Sequence, residues 1–177
     1  MQGHLFLIGF MGTGKTAVSE ALSARTGIPV MDTDEEIRLQ DGMEITDIFA
    51  QKGEAYFRDL ETQLLKDLQD KEPRIISCGG GMPLRPQNAD LMRQAGTVFW
   101  LTASPETVYE RLKNDHTRPL LAGRNNPEGI AQLMEKRRDA YEAASDVQIR
   151  TDGRTPGEIA AEIAEKGTRI LRRKVTD

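Results

Sequence analysis

The sequence has few of the features that mark secreted, membrane-spanning or nucleic-acid-binding proteins. Among its 177 residues there is one cysteine, Cys78, which can neither form an internal disulfide nor hold a metal ion alone. No apolar run approaches the roughly 20 residues of a membrane-spanning helix, and the first ten residues lack the basic segment and cleavage site of a signal peptide. With 24 Lys and Arg against 28 Asp and Glu, the net charge of −4 disfavours nucleic acid as a partner. We therefore expect a cytoplasmic protein that binds neither membranes nor nucleic acids.

The composition and the hydrophobic pattern predict a single α/β domain over residues 1–177. Hydrophobic residues make up 38% of the chain and charged residues 29%, which excludes a disordered or fibrous protein. Short apolar runs alternate with stretches of helical spacing, and strands separated by helices predict a parallel sheet covered on both faces. The predicted strands are 5–8, 29–31, 74–78, 97–101 and 147–150.

Helices are predicted between these strands, with a break at Gly53. Residues 114–127 are rich in glycine, proline and asparagine, which predicts a mobile loop. Ligands of such sheets bind at the carboxyl ends of the strands, so we expect the chemistry near Gly9, Asp32 and Gly79.

The segment Gly9-Phe-Met-Gly-Thr-Gly-Lys-Thr16 fits the phosphate-loop pattern G-x-x-x-x-G-K-[ST] in full. It lies between a predicted strand and a predicted helix, where backbone N–H groups and the helix dipole attract phosphate. Lys15 is expected to reach the β- and γ-phosphates of ATP, and the Thr16 hydroxyl is expected to bind Mg²⁺. The residues assigned to ATP here are Gly12, Thr13, Gly14, Lys15, Thr16 and Ala17.

The segment from Gly12 to Ala17 also satisfies the dinucleotide pattern G-x-G-x-x-A. Asp34 lies 20 residues after Gly14, near the position of a ribose-binding acid. A dinucleotide loop has no use for an ammonium aimed at a triphosphate or a hydroxyl aimed at a metal. Lys15 and Thr16 therefore favour ATP over a nicotinamide or flavin cofactor.

Asp32 and Asp34 provide two carboxylates at the end of the second predicted strand, beside the phosphate loop. One acid can organise the Mg²⁺ shell, usually through water, and the other can orient a substrate hydroxyl for attack on the γ-phosphate. The alternative is that either aspartate merely caps the following helix, a common role for this residue. For the pair beside a phosphate loop, capping is the weaker explanation.

The run Gly79-Gly-Gly81 is costly in backbone entropy unless a ligand must approach its N–H groups. The alternative is a tight turn before Pro83, for which one glycine would suffice. Arg58, Arg137 and Arg138 lie on predicted helices, where exposed ion-paired arginines are the default. For Arg58 the partner would be Asp59 or Glu61. Bare N–H groups together with arginine forks suit an anionic, hydroxylated small molecule.

Together these motifs resemble those of shikimate kinase over nearly the whole chain. The resemblance implies phosphorylation of the 3-hydroxyl of shikimate by ATP and Mg²⁺, a step in aromatic amino-acid biosynthesis. It also implies a P-loop three-layer α/β/α fold like that of nucleoside monophosphate kinases, with a five-stranded parallel sheet, a substrate-binding segment at about 33–61 and a mobile lid at about 114–126. Beside the phosphate loop, the matching segments are Asp-Thr-Asp at 32–34, Phe-Arg-Asp-Leu-Glu at 57–61, Gly-Gly-Gly at 79–81, Arg-Pro-Leu-Leu at 118–121 and Arg-Arg-Asp-Ala-Tyr at 137–141.

The same resemblance implies roles for the residues that face shikimate. Asp34 would bind shikimate hydroxyls and orient the attacking oxygen. Arg58 and Arg137 would bind the carboxylate, and the Gly80 N–H would contact the substrate. Asp32 would help to organise Mg²⁺, through water.

On the ATP side, the resemblance implies that Arg118 comes from the lid to stabilise the transferring phosphoryl group, together with Lys15. Arg111 would cover the adenine ring, and Arg154 matches a more variable adenine contact. Arg138 has no matching role and is expected to be a surface charge.

Two other functions remain open. One is a kinase for another hydroxylated acid, such as a gluconate-type sugar acid, and the other is a nucleotide-binding regulator without catalysis. The shikimate-type motifs disfavour the first, and the retention of Asp34 and Arg118 disfavours the second. Nothing in the sequence indicates an obligate interface, so we expect a monomer.

Overall fold

The computed structural model of the chain describes residues 3–113 and 126–174. The predicted lid, apart from Asn126, lies outside these residues, and so does Arg118. Five parallel strands form one sheet in the order β2-β3-β1-β4-β5. The predicted fold class is confirmed, and every predicted strand is present to within one residue at either end. The strands are β1 His4–Ile8, β2 Val30–Asp32, β3 Ile75–Ser77, β4 Gly96–Thr102 and β5 Val147–Arg150.

Seven α-helices in the described part of the chain begin and end at local sequence signals. Side-chain caps are present at several of them; for example, Ser104 accepts the Thr107 N–H at the start of α5 and Asn126 accepts the Gly129 N–H at the start of α6. In the same part of the chain, no helix combines the length and the apolar character that crossing a membrane requires. The helices are α1 Lys15–Thr26, α2 Thr33–Asp41, α3 Ile45–Asp67, α4 Pro86–Ala95, α5 Pro105–Leu112, α6 Pro127–Ala144 and α7 Pro156–Lys174.

Helix α3 is interrupted at Gly53, as the sequence predicts. This residue has φ 85° and ψ 168°, a conformation outside the helical region that favours glycine. The break is bridged by Asp41 at the end of α2, which accepts hydrogen bonds from Lys52 Nζ at 3.0 Å and from the Tyr56 hydroxyl at 2.7 Å. Lys52 precedes the break and Tyr56 follows it, so this cluster joins both halves of α3 to α2.

The sheet separates two apolar cores, one on each face. Every residue of β1 is buried, as expected for a central parallel strand. Leu5 and Leu7 pack with α1 and α7, whereas Phe6 and Ile8 pack with the core formed by α2 to α6. The two cores cover both faces of the sheet, so a ligand is expected at the carboxyl ends of the strands and not on either face.

The carboxyl ends of β4 and β5 are joined by Asp152. Its carboxylate accepts hydrogen bonds from the Ser104 N–H at 2.8 Å, from Thr107 Oγ1 at 2.7 Å and from Arg150 Nε at 3.0 Å. Burial raises the pKa of this carboxyl, but the three hydrogen bonds together outweigh burial and hold the pKa well below its usual range. Asp152 therefore fastens the start of α5 to the end of β5.

We predict that Asp152→Ala lowers the free energy of unfolding by about 1–3 kcal/mol at neutral pH, because the partly buried donors of Ser104 and Thr107 lose an ionised acceptor. A carboxyl with a depressed pKa stabilises the fold above the ordinary aspartate pKa of about 4, and this stabilisation is lost as the pH falls. Urea unfolding of both proteins between pH 7 and pH 2.5 should show the difference shrinking with acidification. A difference that grows on acidification would contradict this account of Asp152.

Candidate active site

The loop between β1 and α1 has the backbone of an anion-binding loop. Gly12 and Gly14 have φ values of 76° and 94°, in the left-handed region that favours glycine. Gly14 begins α1 without a side-chain cap, so the positive end of the helix dipole is left for an anion. At Gly9 a Cβ atom would lie 2.5 Å from the Leu101 carbonyl oxygen, which excludes larger residues. The pattern thus has the local structure that the sequence predicts for it.

In the phosphate loop, the side chains of Lys15 and Thr13 bond to loop carbonyl groups, whereas those of Thr16 and Ala17 face solvent. Lys15 Nζ donates to the carbonyl oxygens of Gly9 at 2.8 Å and Phe10 at 3.2 Å, so the ammonium lies across the loop. The Thr13 hydroxyl is buried and donates to Phe10 O at 2.7 Å, which leaves this side chain to stabilise the loop itself. Thr16 and Ala17 are exposed on the first turn of α1.

Arg111 and Arg154, the two predicted adenine contacts, have different surroundings. Arg111 Nη1 donates to Gly12 O at 2.9 Å, and its guanidinium also reaches Thr151. Arg154 contacts the same threonine through its backbone, but its guanidinium donates to carbonyl oxygens and pairs with Glu162 of α7 at 2.7 Å. Arg111 therefore lies against the phosphate loop, whereas the Arg154 side chain is engaged with α7.

Asp32 ends β2 and caps α2. Its Oδ1 accepts the N–H groups of Asp34 at 3.0 Å and Glu35 at 3.2 Å. The capping role, which is the weaker explanation of the pair on sequence grounds, is therefore present. Capping occupies only one carboxylate oxygen, so it does not exclude a second role for the other.

The triple-glycine segment lies between β3 and a short 3₁₀ helix, beneath the predicted substrate-binding side chains. A Cβ atom at Gly79 would lie 2.5 Å from Asp34 Oδ1, and one at Gly81 would overlap the Arg58 guanidinium. At Gly80 a Cβ atom would lie 3.6 Å from both Arg137 Nη1 and the Gly9 carbonyl oxygen. The structure thus brings the predicted substrate-binding residues Asp34, Arg58, Gly80 and Arg137 together, next to the first residue of the phosphate loop.

Arg58 is held by two carboxylates and is only 14% exposed. Its Nη1 donates to Glu61 Oε2 at 2.7 Å, and its Nη2 donates to Glu54 at 3.2 Å. Glu61 is one of the two partners that the default interpretation allows, but the exposure that this interpretation expects is wrong. The guanidinium lies against Gly81, and this contact shields it from solvent.

Glu61 is a residue that sequence reasoning treats only as a partner of Arg58. It is fully buried, and its Oε1 has no hydrogen-bond partner among the described residues. Burial raises the pKa of Glu61 to about 7; Arg58 opposes this shift and the nearby charge of Asp34 adds to it. The signal available in the sequence was its spacing of three residues from Arg58 on one helix.

Tyr141 is a second residue whose contact with the site is not evident from the sequence. Its hydroxyl donates to Gly80 O at 2.7 Å, and burial raises its pKa while the charge of Arg137 opposes the shift. Arg137, four residues earlier on α6, also lies over the Phe10 ring at 5.8 Å. Arg138 is 59% exposed, which confirms its assignment as a surface charge. One turn of α6 therefore supports the glycine segment and presents an arginine beside it.

Cys78 lies beneath both halves of the site. It is fully buried, and burial raises the pKa of its thiol well above the usual range. Lys15 lowers this pKa, whereas Glu61, Asp32 and Asp34 raise it, so all four charges act on one atom. A buried thiol with a raised pKa is a poor nucleophile. The Lys15 ammonium and the carboxylates of Asp32, Asp34 and Glu61 therefore surround one buried position.

We predict that the unchanged protein loses stability between about pH 4.5 and 7 through ionisation of Glu61, and that Glu61→Gln does not show this loss. A carboxyl whose pKa is raised to about 7 on folding stabilises the fold at low pH, and this contribution is lost as the pH rises from about 4.5 to 7. The difference between the two proteins should change by on the order of 2–3 kcal/mol across this window.

Glu54→Gln is the matched control for this prediction, because it removes an exposed carboxylate from the same arginine. Chemical unfolding at half-unit steps from pH 4.5 to 8 measures both variants. A Glu61→Gln profile parallel to that of Glu54→Gln would contradict the raised pKa of Glu61.

Comparisons with known proteins identify the family. A family model described as shikimate kinase matches residues 11–168. The shikimate kinase of Persephonella marina is 41% identical over 160 residues, which cover 90% of this chain and 96% of that protein. Among solved structures, shikimate kinase from Acinetobacter baumannii in complex with shikimate has a TM-score of 0.87 and 30% identity, covering 98% of this chain and 96% of that one. Shikimate kinase from Aquifex aeolicus has a TM-score of 0.78 and 38% identity, covering 92% and 94%. The chain therefore belongs to the shikimate kinase family.

Proposed function

We propose that this chain transfers the γ-phosphoryl group of ATP to the 3-hydroxyl of shikimate, giving shikimate 3-phosphate and ADP. The observation that carries the proposal is the meeting of two arginines and a carboxylate at the triple-glycine segment, directly beside the phosphate loop. Family membership and the shikimate bound to the relative from Acinetobacter baumannii support the same substrate. The reaction belongs to aromatic amino-acid biosynthesis.

In this proposal the shikimate carboxylate binds to Arg58 and Arg137. Guanidinium groups match a carboxylate in both charge and geometry, and their hydrogen bonds are strengthened by partial burial. Both arginines are held in place by neighbouring side chains. Arg58 is hydrogen-bonded to Glu61, and Arg137 packs over the Phe10 ring. The Gly80 N–H supplies a further donor to the substrate.

Asp34 accepts a hydrogen bond from the 3-hydroxyl and orients its oxygen toward the γ-phosphorus. The oxygen forms the new bond to phosphorus, the bond to the β–γ bridging oxygen breaks, and the hydroxyl proton passes toward Asp34. Lys15 neutralises charge on the β- and γ-phosphates, and Arg118 adds a second cation. Positioning and electrostatics supply most of the catalysis of phosphoryl transfer, so the geometry of Asp34 matters more than its basicity.

Two oxygen donors fit the Mg²⁺ that accompanies ATP. The Thr16 side chain is exposed at the start of α1, and Asp32 uses only Oδ1 for capping. Hydroxyl and carboxylate oxygens are the ligands that this hard cation prefers. We infer that Thr16 binds the ion directly and Asp32 binds it through water. The bound ion supplies charge neutralisation at the phosphates.

The experiment that tests the proposal is a coupled assay of ADP release with ATP and Mg²⁺, in the presence and absence of shikimate. We expect turnover to require shikimate, because the site is complete only with both substrates. Gluconate in place of shikimate should leave the rate at the background level.

Three outcomes would contradict the proposal in different ways. ATP turnover that shikimate does not change would remove shikimate as the acceptor. Stimulation by gluconate alone would indicate a kinase for another hydroxylated acid. ATP binding without turnover under any condition would indicate a nucleotide-binding regulator.

Neighbouring arginines offer a matched pair of variants for the carboxylate contact. We predict that Arg137→Ala weakens shikimate binding by on the order of 2–4 kcal/mol, because the carboxylate loses a charged partner. Arg138→Ala removes the same charge from an exposed position one residue away and should leave the shikimate KM unchanged. The KM for ATP should stay within about twofold in both variants, since neither arginine is assigned to the nucleotide. Equal effects of the two substitutions would mean that Arg137 acts only through long-range charge.

A further inference from the structure

We propose that Gly79 and Gly81 are positioning residues, each of which leaves room for one substrate-binding side chain. Gly81 fixes the location of the Arg58 guanidinium, and Gly79 fixes the location of the Asp34 carboxylate. The inference rests on the proposed function for its kinetic consequences, whereas the two steric contacts stand on the structure alone.

Backbone conformation does not explain why these positions are glycine. Gly81 has φ −91° and ψ −11°, and neither Gly79 nor Gly80 has φ in the left-handed region. Other residues adopt such conformations without strain. The segment does form a turn, in which the Met82 N–H donates to Gly79 O at 3.1 Å, but no residue of it has a left-handed φ. The turn therefore does not account for the missing side chains.

At Gly81 the missing side chain makes room for Arg58. A Cβ atom there would overlap both Nη atoms and the central carbon of the guanidinium. Moving the guanidinium would cost free energy, because it would disrupt the ion pairs with Glu61 and Glu54 that hold this side chain at 14% exposure. A methyl group at this position would therefore displace the arginine while leaving its charge in the protein.

At Gly79 the missing side chain makes room for Asp34. A Cβ atom there would lie 2.5 Å from Asp34 Oδ1 and 3.4 Å from Glu61 Oε1. The backbone of Gly79 is itself fixed, because its N–H donates to Thr33 Oγ1 at 2.8 Å, in the residue that precedes Asp34. A methyl group would therefore push the carboxylate away from its place instead of moving the segment.

The two contacts predict different kinetic defects. Gly81→Ala should raise the KM for shikimate by about tenfold to a hundredfold, because it disturbs the carboxylate contact. Gly79→Ala should lower kcat by a similar factor, because it disturbs the group that orients the attacking hydroxyl. The KM for ATP should stay within about twofold in both variants. Gly157→Ala is the matched control, since a Cβ atom there meets nothing within 4 Å and φ is not left-handed.

Double variants test whether each effect passes through the named side chain. In an Arg58→Ala background, Gly81→Ala should cause no further rise in the shikimate KM, because the clashing group is gone. In an Asp34→Ala background, Gly79→Ala should cause no further loss of kcat. Effects that add in full, or equal losses of affinity for shikimate and ATP, would overturn the inference.

Thermal unfolding gives a readout that does not depend on activity. Gly81→Ala should lower the Tm of the unchanged protein but not that of the Arg58→Ala variant, and the same pattern should hold for Gly79→Ala with Asp34→Ala. If a single variant fails to fold, recovery of folding in its double variant supports the contact, and failure of both overturns it. If the unchanged protein shows no shikimate-dependent ADP release, the proposed function fails, while these Tm comparisons still decide the positioning roles.

Discussion

The site depends on the parallel pairing of β1 with β3, two strands that are distant in the sequence. Leu7 lies opposite Ser77, and the Cys78 N–H donates to Leu7 O at 3.0 Å, so both strands end at the same level of the sheet. The phosphate loop continues from one strand and the triple-glycine segment from the other. A shift of one residue would turn every side chain of the strand to the opposite face, so two buried faces specify this register strongly. Donor and acceptor regions therefore meet through the geometry of the sheet.

The buried pair of Arg58 and Glu61 is not explained by stability. Removing a carboxylate from water costs free energy, and a well-packed apolar replacement of a buried ion pair is often neutral or stabilising. What the pair provides is orientation, since an exposed arginine samples many rotamers and loses entropy when it binds a ligand. Glu61 holds the guanidinium before any substrate arrives. The electrostatic cost of Glu61, visible in its raised pKa, is thus linked to a preorganised anion site.

The sequence was sufficient for features that depend on neighbouring residues, and insufficient for those that depend on tertiary contact. Gly53 interrupts α3 as predicted, because glycine alone readily adopts its conformation. The burial of Arg58 was not predictable, because its pattern is that of an exposed helix arginine and its shielding depends on tertiary contact with Gly81. Capping and ligand binding require the same carboxylate at Asp32, so spacing could not separate the two roles. The spacing of four residues places Tyr141 on the same face of α6 as Arg137, but it does not reveal the hydrogen bond from Tyr141 to Gly80 O.

The hydrogen-bonded cluster around Asp41 fixes the distance between two parts of the site. Asp34 lies on α2 and Arg58 on α3, and the bonds from Lys52 and Tyr56 to Asp41 join these helices across the break. The separation between Asp34, proposed to orient the hydroxyl, and Arg58, proposed to bind the carboxylate, is therefore set by the helix pair. An acceptor must match this separation to reach both groups at once. A hydroxy acid whose hydroxyl lies at a different distance from its carboxylate could not contact both residues at once, even when its charge and functional groups are suitable.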